Sequence, residues 1–225
     1  MKKLILFLSL SLFSFLATAT ELVSLIQTYQ ADRGALGRLY TNRLSGEYFT
    51  RMESFNRDYL KTLQAQNYGA LSEDGKIDYV LFRNYLEKQL AELDLEKRDF
   101  MQIQSVIAFG KPLESFVVSR RRAVQPDAQA LAAQWNQVAQ ALDAQHKALA
   151  TSSKYDSWQK AELAAVAVES LAKVVKESYD FYFDFDPSFT WWMPTPWGKL
   201  DAGMKSYAKA LRAHYTNSVK DDGSG

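Results

Sequence analysis

The chain has 225 residues, 47% of them hydrophobic, with 27 Lys+Arg against 26 Asp+Glu and no cysteine. That balance provides no surplus of cationic surface for nucleic acid, and the lack of cysteine excludes a disulfide framework, a zinc knuckle and a thiol nucleophile. With 5 Pro and 10 Gly the chain has too few breakers for a collagen-like, low-complexity or many-turned all-β protein, and long helices are expected.

The first segment reads as a secretory signal. Lys2 and Lys3 precede an apolar run from Leu4 to Leu16, and Ala17-Thr18-Ala19 supplies the small residues a signal peptidase needs. Residues 1–19 are therefore expected to be a signal peptide cut after Ala19. The run falls short of the ~20 residues a helix needs to cross a bilayer. No second long apolar run follows, so no membrane span is expected after signal removal. The mature chain, 20–225, is expected as a single helical domain in the periplasm or the medium, held by packing alone.

Apolar spacing along the mature chain is helical. Tyr48, Met52, Phe55, Tyr59 and Leu63 form one stripe of a helix over about 44–66, with Gly69 as its left-handed stop. Ser72 is a good N-cap for the next helix, with Glu73 and Asp74 in its first turn and a stripe of Tyr79, Phe82, Leu86, Leu90 and Leu93 running towards Phe100. Residues 107–118 form a shorter apolar piece interrupted by Gly110 and Pro112. Pro126 opens a helix with Leu131, Trp135, Val138, Leu142 and Leu149 on its face. From Ser157 to Phe185 the apolar residues are too broad for one stripe, which predicts a central helix touched on several sides. Asp186-Pro187 closes it. Thr195 is expected to cap a last helix, with Pro196 at its first position and Leu200, Met204, Tyr207 and Leu211 buried. The sum is an all-α bundle of about six antiparallel helices with no significant sheet.

Catalytic constellations are scarce. His146 and His214 are the only histidines, and neither stands in the spacing that places two imidazoles around zinc. There is no nucleophile elbow, phosphate-binding loop or EF-hand loop. Asp180 and Asp184 share a helix face inside an aromatic run that ends at Asp186, a pattern that fits an acid/base or metal site. The simpler reading is the polar side of the last helical turns. Arg120-Arg121-Arg122 could grip an anion or a substrate carboxylate, although such runs are more often solvated or paired with nearby acids. Trp191, Trp192 and Trp197, stiffened by Pro194 and Pro196, form a platform of the kind that lines peptide or sugar clefts. They would equally fill the gap between the long helix and the last one, with one tryptophan left free.

The stretch Phe189 to Asp201, followed by Tyr207 to Arg212, resembles the bacterial secreted family called domain of unknown function 885, as does Leu71 to Leu81. That family is longer, largely helical and regarded as zinc-dependent peptidases. The resemblance implies zinc held in the complete family protein by an HExxPGH motif, with peptide as substrate. No position of this chain matches that motif, so no catalytic residue, metal ligand or cofactor is carried over to it. Asp221 to Gly225 resembles the family's connector to the remaining domain. The expectation is the N-terminal helical region of such a protein, inactive alone. The alternative is a complete non-catalytic extracytoplasmic module that binds a peptide, glycan or protein partner.

Overall fold

Helix-forming sequence between clear capping signals produces helices throughout. A computed structural model describes residues 22–216, and the expected signal segment and the stretch from Asp221 to Gly225 lie outside them. The α-helices are α1 (22–39), α2 (Gly46–Gln64), α3 (Glu73–Ile103), α4 (Lys111–Arg121), α5 (Ala128–Leu149), α6 (Trp158–Phe183), α7 (Pro187–Trp192) and α8 (Pro194–Ala213). Tighter 3-10 turns occupy Tyr68–Ala70 and Gln104–Gly110. The described residues contain no strand, only an isolated extended pair, Tyr155 beside Tyr215. The fold is an all-α helical bundle. Helices α1 and α7 add to those expected from spacing.

Side-chain caps start α3, α5 and α6, and of these caps Ser72 is the one expected from the sequence. Ser72 Oγ accepts from Gly75 N at 3.1 Å, Asp127 caps α5 through Ala130 N, and Ser157 caps α6 through Lys160 N. Three terminal signals differ from expectation. Pro126 does not open α5, which begins at Ala128 behind the Asp127 cap and leaves the proline outside the helix. Gly69 lies in the 3-10 turn without a left-handed backbone, whereas the left-handed residue is Ala123, at φ 57°. Thr195 does not cap α8. That helix begins at Pro194 with Met193 before it. Met193 ends α7 by bonding to Phe189 O, and its own carbonyl accepts from Trp197 N. One residue therefore serves both helices and leaves no room for a separate cap.

The described residues divide into two compact units, one of residues 22–38 and 49–96, the other of 39–48 and 97–216. Both boundaries near residues 48 and 96 fall inside helices, so no Pro-, Gly- or Ser-rich linker marks them. In the first unit the core gathers around Tyr29, which is 2% exposed. Its ring stacks on Phe55 and takes the edges of Tyr59, Phe82 and Tyr85. Its hydroxyl donates to Asn56 Oδ1 at 2.9 Å, and Asn56 Nδ2 returns to Met52 O. The buried phenol is thus satisfied inside an aromatic cluster.

In the second unit α6 packs against α4, α7, α8 and the Gln104–Gly110 turn, while α5 packs against α4, α7 and α8. Contact on several sides explains why α6 buries Ala161, Ala164, Ala165, Val168, Leu171 and Val175 around much of its circumference. Leu200, Met204, Tyr207 and Leu211 of α8 are buried as their spacing predicts. Trp135 of α5 is fully buried, edge-on to Phe116.

Candidate functional site

The candidate residues gather at one end of the second unit, where α4 finishes, α6 finishes, and α7 turns into α8. Asp186 organises this end. Its Oδ1 accepts from Ser188 N and Phe189 N, capping α7. Its Oδ2 accepts from Gln125 Nε2 at 2.7 Å, which ties the α4–α5 connection to the same turn. Tyr182 Oη donates to Val124 O at 3.1 Å and reinforces that tie.

The three tryptophans divide. Trp197 packs inward, its ring stacked on Tyr179 with centroids 5.2 Å apart and lying 6.0 Å from Trp135. Phe189, which precedes the tryptophans, is fully buried between Phe116, Tyr179 and Tyr182. Trp192 is 41% exposed and Trp191 81% exposed. The segment therefore both fills the gap between α6 and α8 and leaves aromatic surface in water. Two aromatics of the run that ends at Asp186 are also exposed, Phe181 at 52% and Phe185 at 82%. Phe181 continues the α6 pattern, so only the packing around the helix end shows that it faces outward.

The three arginines have three different partners. The Arg120 guanidinium lies over the Phe181 ring at 4.6 Å, a cation–π contact, and its Nε is buried without a hydrogen-bond partner. Burial and the adjacent Arg121 lower the Arg120 pKa. Arg121 reaches Glu177 at 4.0 Å. Arg122 donates to the Tyr40 hydroxyl at 3.4 Å. Successive positions on a helix point about 100° apart, which sends the triplet to three different partners. Beside this turn an open cavity of about 350 Å³ is lined by Pro112, Phe116, Ser119, Val124, Asp127 and Leu131.

The acidic run serves local structure. Asp180 pairs with Lys176 at 2.6 Å, both largely exposed. Asp184 ends α6 and Asp186 caps α7. The histidines are also placed structurally. The His146 ring packs near Tyr207, with centroids 5.5 Å apart. His214 Nε2 lies 3.0 Å from Ser152 Oγ and 3.2 Å from the Ser153 carbonyl oxygen. A carbonyl only accepts, so Nε2 carries the proton and is a donor here. That tautomer prevents Nε2 from acting as a base on Ser152, whose hydroxyl donates to Leu149 O. Among the described residues no group of three or more His, Asp or Glu could hold a metal ion. Among the same residues no helix is long and apolar enough to cross a membrane.

No protein-family model, no curated protein and no solved structure matches this chain.

Proposed function

We propose that the chain is an extracytoplasmic helical recognition module that binds peptide segments at the aromatic end of its second unit and has no catalytic role of its own. The observation that carries this reading is the near-complete exposure of Trp191 and Phe185, at 81% and 82%. Covering a large apolar side chain is worth roughly 2–3 kcal/mol, and these rings are held out by a capped turn. Peptides match such a surface because their side chains can stack on the rings while their backbone groups bond to flanking polar residues. Ser119, Asp127 and Gln134 line the adjacent cavity and supply such groups.

Titration with a mixed-sequence peptide library, followed by tryptophan fluorescence and calorimetry, tests the proposal. The expected result is selection of a peptide subset, with affinity falling at least ~10-fold in Trp191→Ala/Phe185→Ala while far-UV circular dichroism is unchanged. Failure to select any peptide, or equal binding by the double variant, overturns it.

A second reading places this module beside the cleft of a longer secreted protein resembling domain of unknown function 885. The stretches from Leu71 to Leu81 and Phe189 to Asp201 support it. Zinc would then belong to the complete protein and not to this chain. Under this reading HExxPGH is encoded downstream of the Gly225 codon, in the same or a shifted frame, and its absence from all three forward frames discards the reading. Export is part of both readings, and N-terminal sequencing of the mature protein should begin at Thr20.

A further inference from the structure

We propose that Glu114 and Asn42 form an acid–amide latch that holds the connector between α1 and α2 against α4 and releases it when the Glu114 carboxyl ionises. The latch lies within the second unit and is independent of the aromatic end.

The connector is short and unusually polar for its burial. Asn42 is 7% and Ser45 4% exposed. Ser45 Oγ donates to Asn42 O at 3.1 Å and accepts from Tyr48 N at 3.1 Å, so the α2 N-cap is built directly on Asn42. The Asn42 side chain then reaches α4, where Nδ2 donates to Glu114 Oε1 at 3.1 Å. Its other contact, to Leu44 O at 3.5 Å, is long. Asn42 Oδ1 is buried and has no hydrogen-bond donor, and Thr41 Oγ1 beside it is likewise unpartnered. Buried acceptors are nearly always satisfied. The missing donor is one that a carboxylic acid supplies. A neutral acid and a primary amide pair through two parallel bonds, Nδ2–H to Oε1 and Oε2–H to Oδ1. With the carboxylate form that second bond has no hydrogen, and Asn42 Oδ1 stays an unpaired acceptor in a buried place.

The groups around Glu114 act in opposite directions. Burial raises its pKa most strongly. The Asn42 bond lowers it, Glu47 in the first turn of α2 raises it, and Lys111 one turn earlier on α4 lowers it. The position of Glu114 in the first turn of α4 also favours the anion. Burial prevails, and the carboxyl is pushed up to about 7 from an ordinary 4.5. A folded value above the unfolded one means that folding takes up a proton. The latch is fully present below the unfolded value and is lost as pH rises through about 7.

Amide hydrogen exchange of residues 40–48 in the full chain, at about pH 6 and about pH 8 and corrected for intrinsic exchange, reads the latch directly. Protection of these amides is expected to fall up to ~10-fold at the higher pH, one unit above the carboxyl midpoint. Glu114→Gln preserves both bonds with its amide and should make protection independent of pH. Equal protection of the wild type at both pH values, or an unchanged pH response in Glu114→Gln, overturns the proposal. A carboxyl carbon titration of Glu114 by NMR needs no variant. A midpoint near 7 is expected, and one in the ordinary glutamate range rejects the latch.

Discussion

Ala123 occupies a left-handed backbone position that glycine usually takes. Its N–H bonds to Arg120 O, and the next residue, Val124, bonds back to Ser119 O, which closes the α4 C-terminus in the manner of a Schellman turn. An L-residue there costs about 1–2 kcal/mol, partly offset by the smaller unfolded-state entropy of alanine relative to glycine. Ala123→Gly should therefore stabilise the protein by about 0.5–1 kcal/mol and raise the thermal midpoint by a few degrees. An unchanged or lowered midpoint in a calorimetric scan contradicts this account. The sequence pointed to Gly69 as the left-handed residue because glycine permits that conformation. What demands it at Ala123 is tertiary: Tyr182 and Asp186 hold the following residues, Val124 and Gln125, in place. The same limit applies to Glu114, whose neighbour Asn42 lies 72 positions away in sequence.

Helix faces were the most readable features, because stripes are local. Ends were less so: Ser72 bonds to the open N–H group three residues on as expected, while Asp127 and Ser157 are caps that apolar spacing does not single out. Close approach between helices is not local. A Cβ at Gly110 would stand 2.4 Å from Leu171 Cδ2, and Leu171 is 1% exposed in the middle of α6. Gly110→Ala should accordingly destabilise by about 1–3 kcal/mol in urea unfolding, through overpacking. Gly37 in α1 is the contrast, since nothing lies within 4 Å of its added Cβ. Gly37→Ala should be stabilising by about 0.5–1 kcal/mol through helix propensity. If both variants shift the midpoint in the same direction, packing is not what distinguishes the two glycines. In sequence Gly110 read only as an interruption, since the leucine it makes room for belongs to another helix.

Across the second unit, α8 is clamped to α6 by Arg212, which bonds to both oxygens of Glu162 at 2.8 and 3.0 Å and to Glu169 at 2.5 and 2.8 Å. Hydrogen bonds to these carboxylates raise the Arg212 pKa, and Arg212 holds the Glu169 carboxyl below its ordinary value. All three side chains are more than a third exposed, so solvent screening limits the clamp to about 1 kcal/mol. A carboxyl held low stabilises above its unfolded value, and that contribution disappears as pH falls through the folded one. Arg212→Met should thus lower stability by about 1 kcal/mol near neutral pH in dilute buffer. The difference from wild type should shrink in about 0.5 M NaCl and again near pH 3. A difference insensitive to both salt and pH would assign the effect to packing of the arginine stem.

The sequence by itself determined the helical class, the central position of α6 and the buried face of α8, because the period of apolar residues is carried by a single helix. It also identified the tryptophan and arginine segments as unusual. Only the tertiary structure decided which tryptophan turns inward, where the three arginines go, and that the chain packs as two units divided within helices. Those outcomes depend on the space left by neighbouring helices and on partners tens of residues away, and neither is encoded in the spacing of one segment.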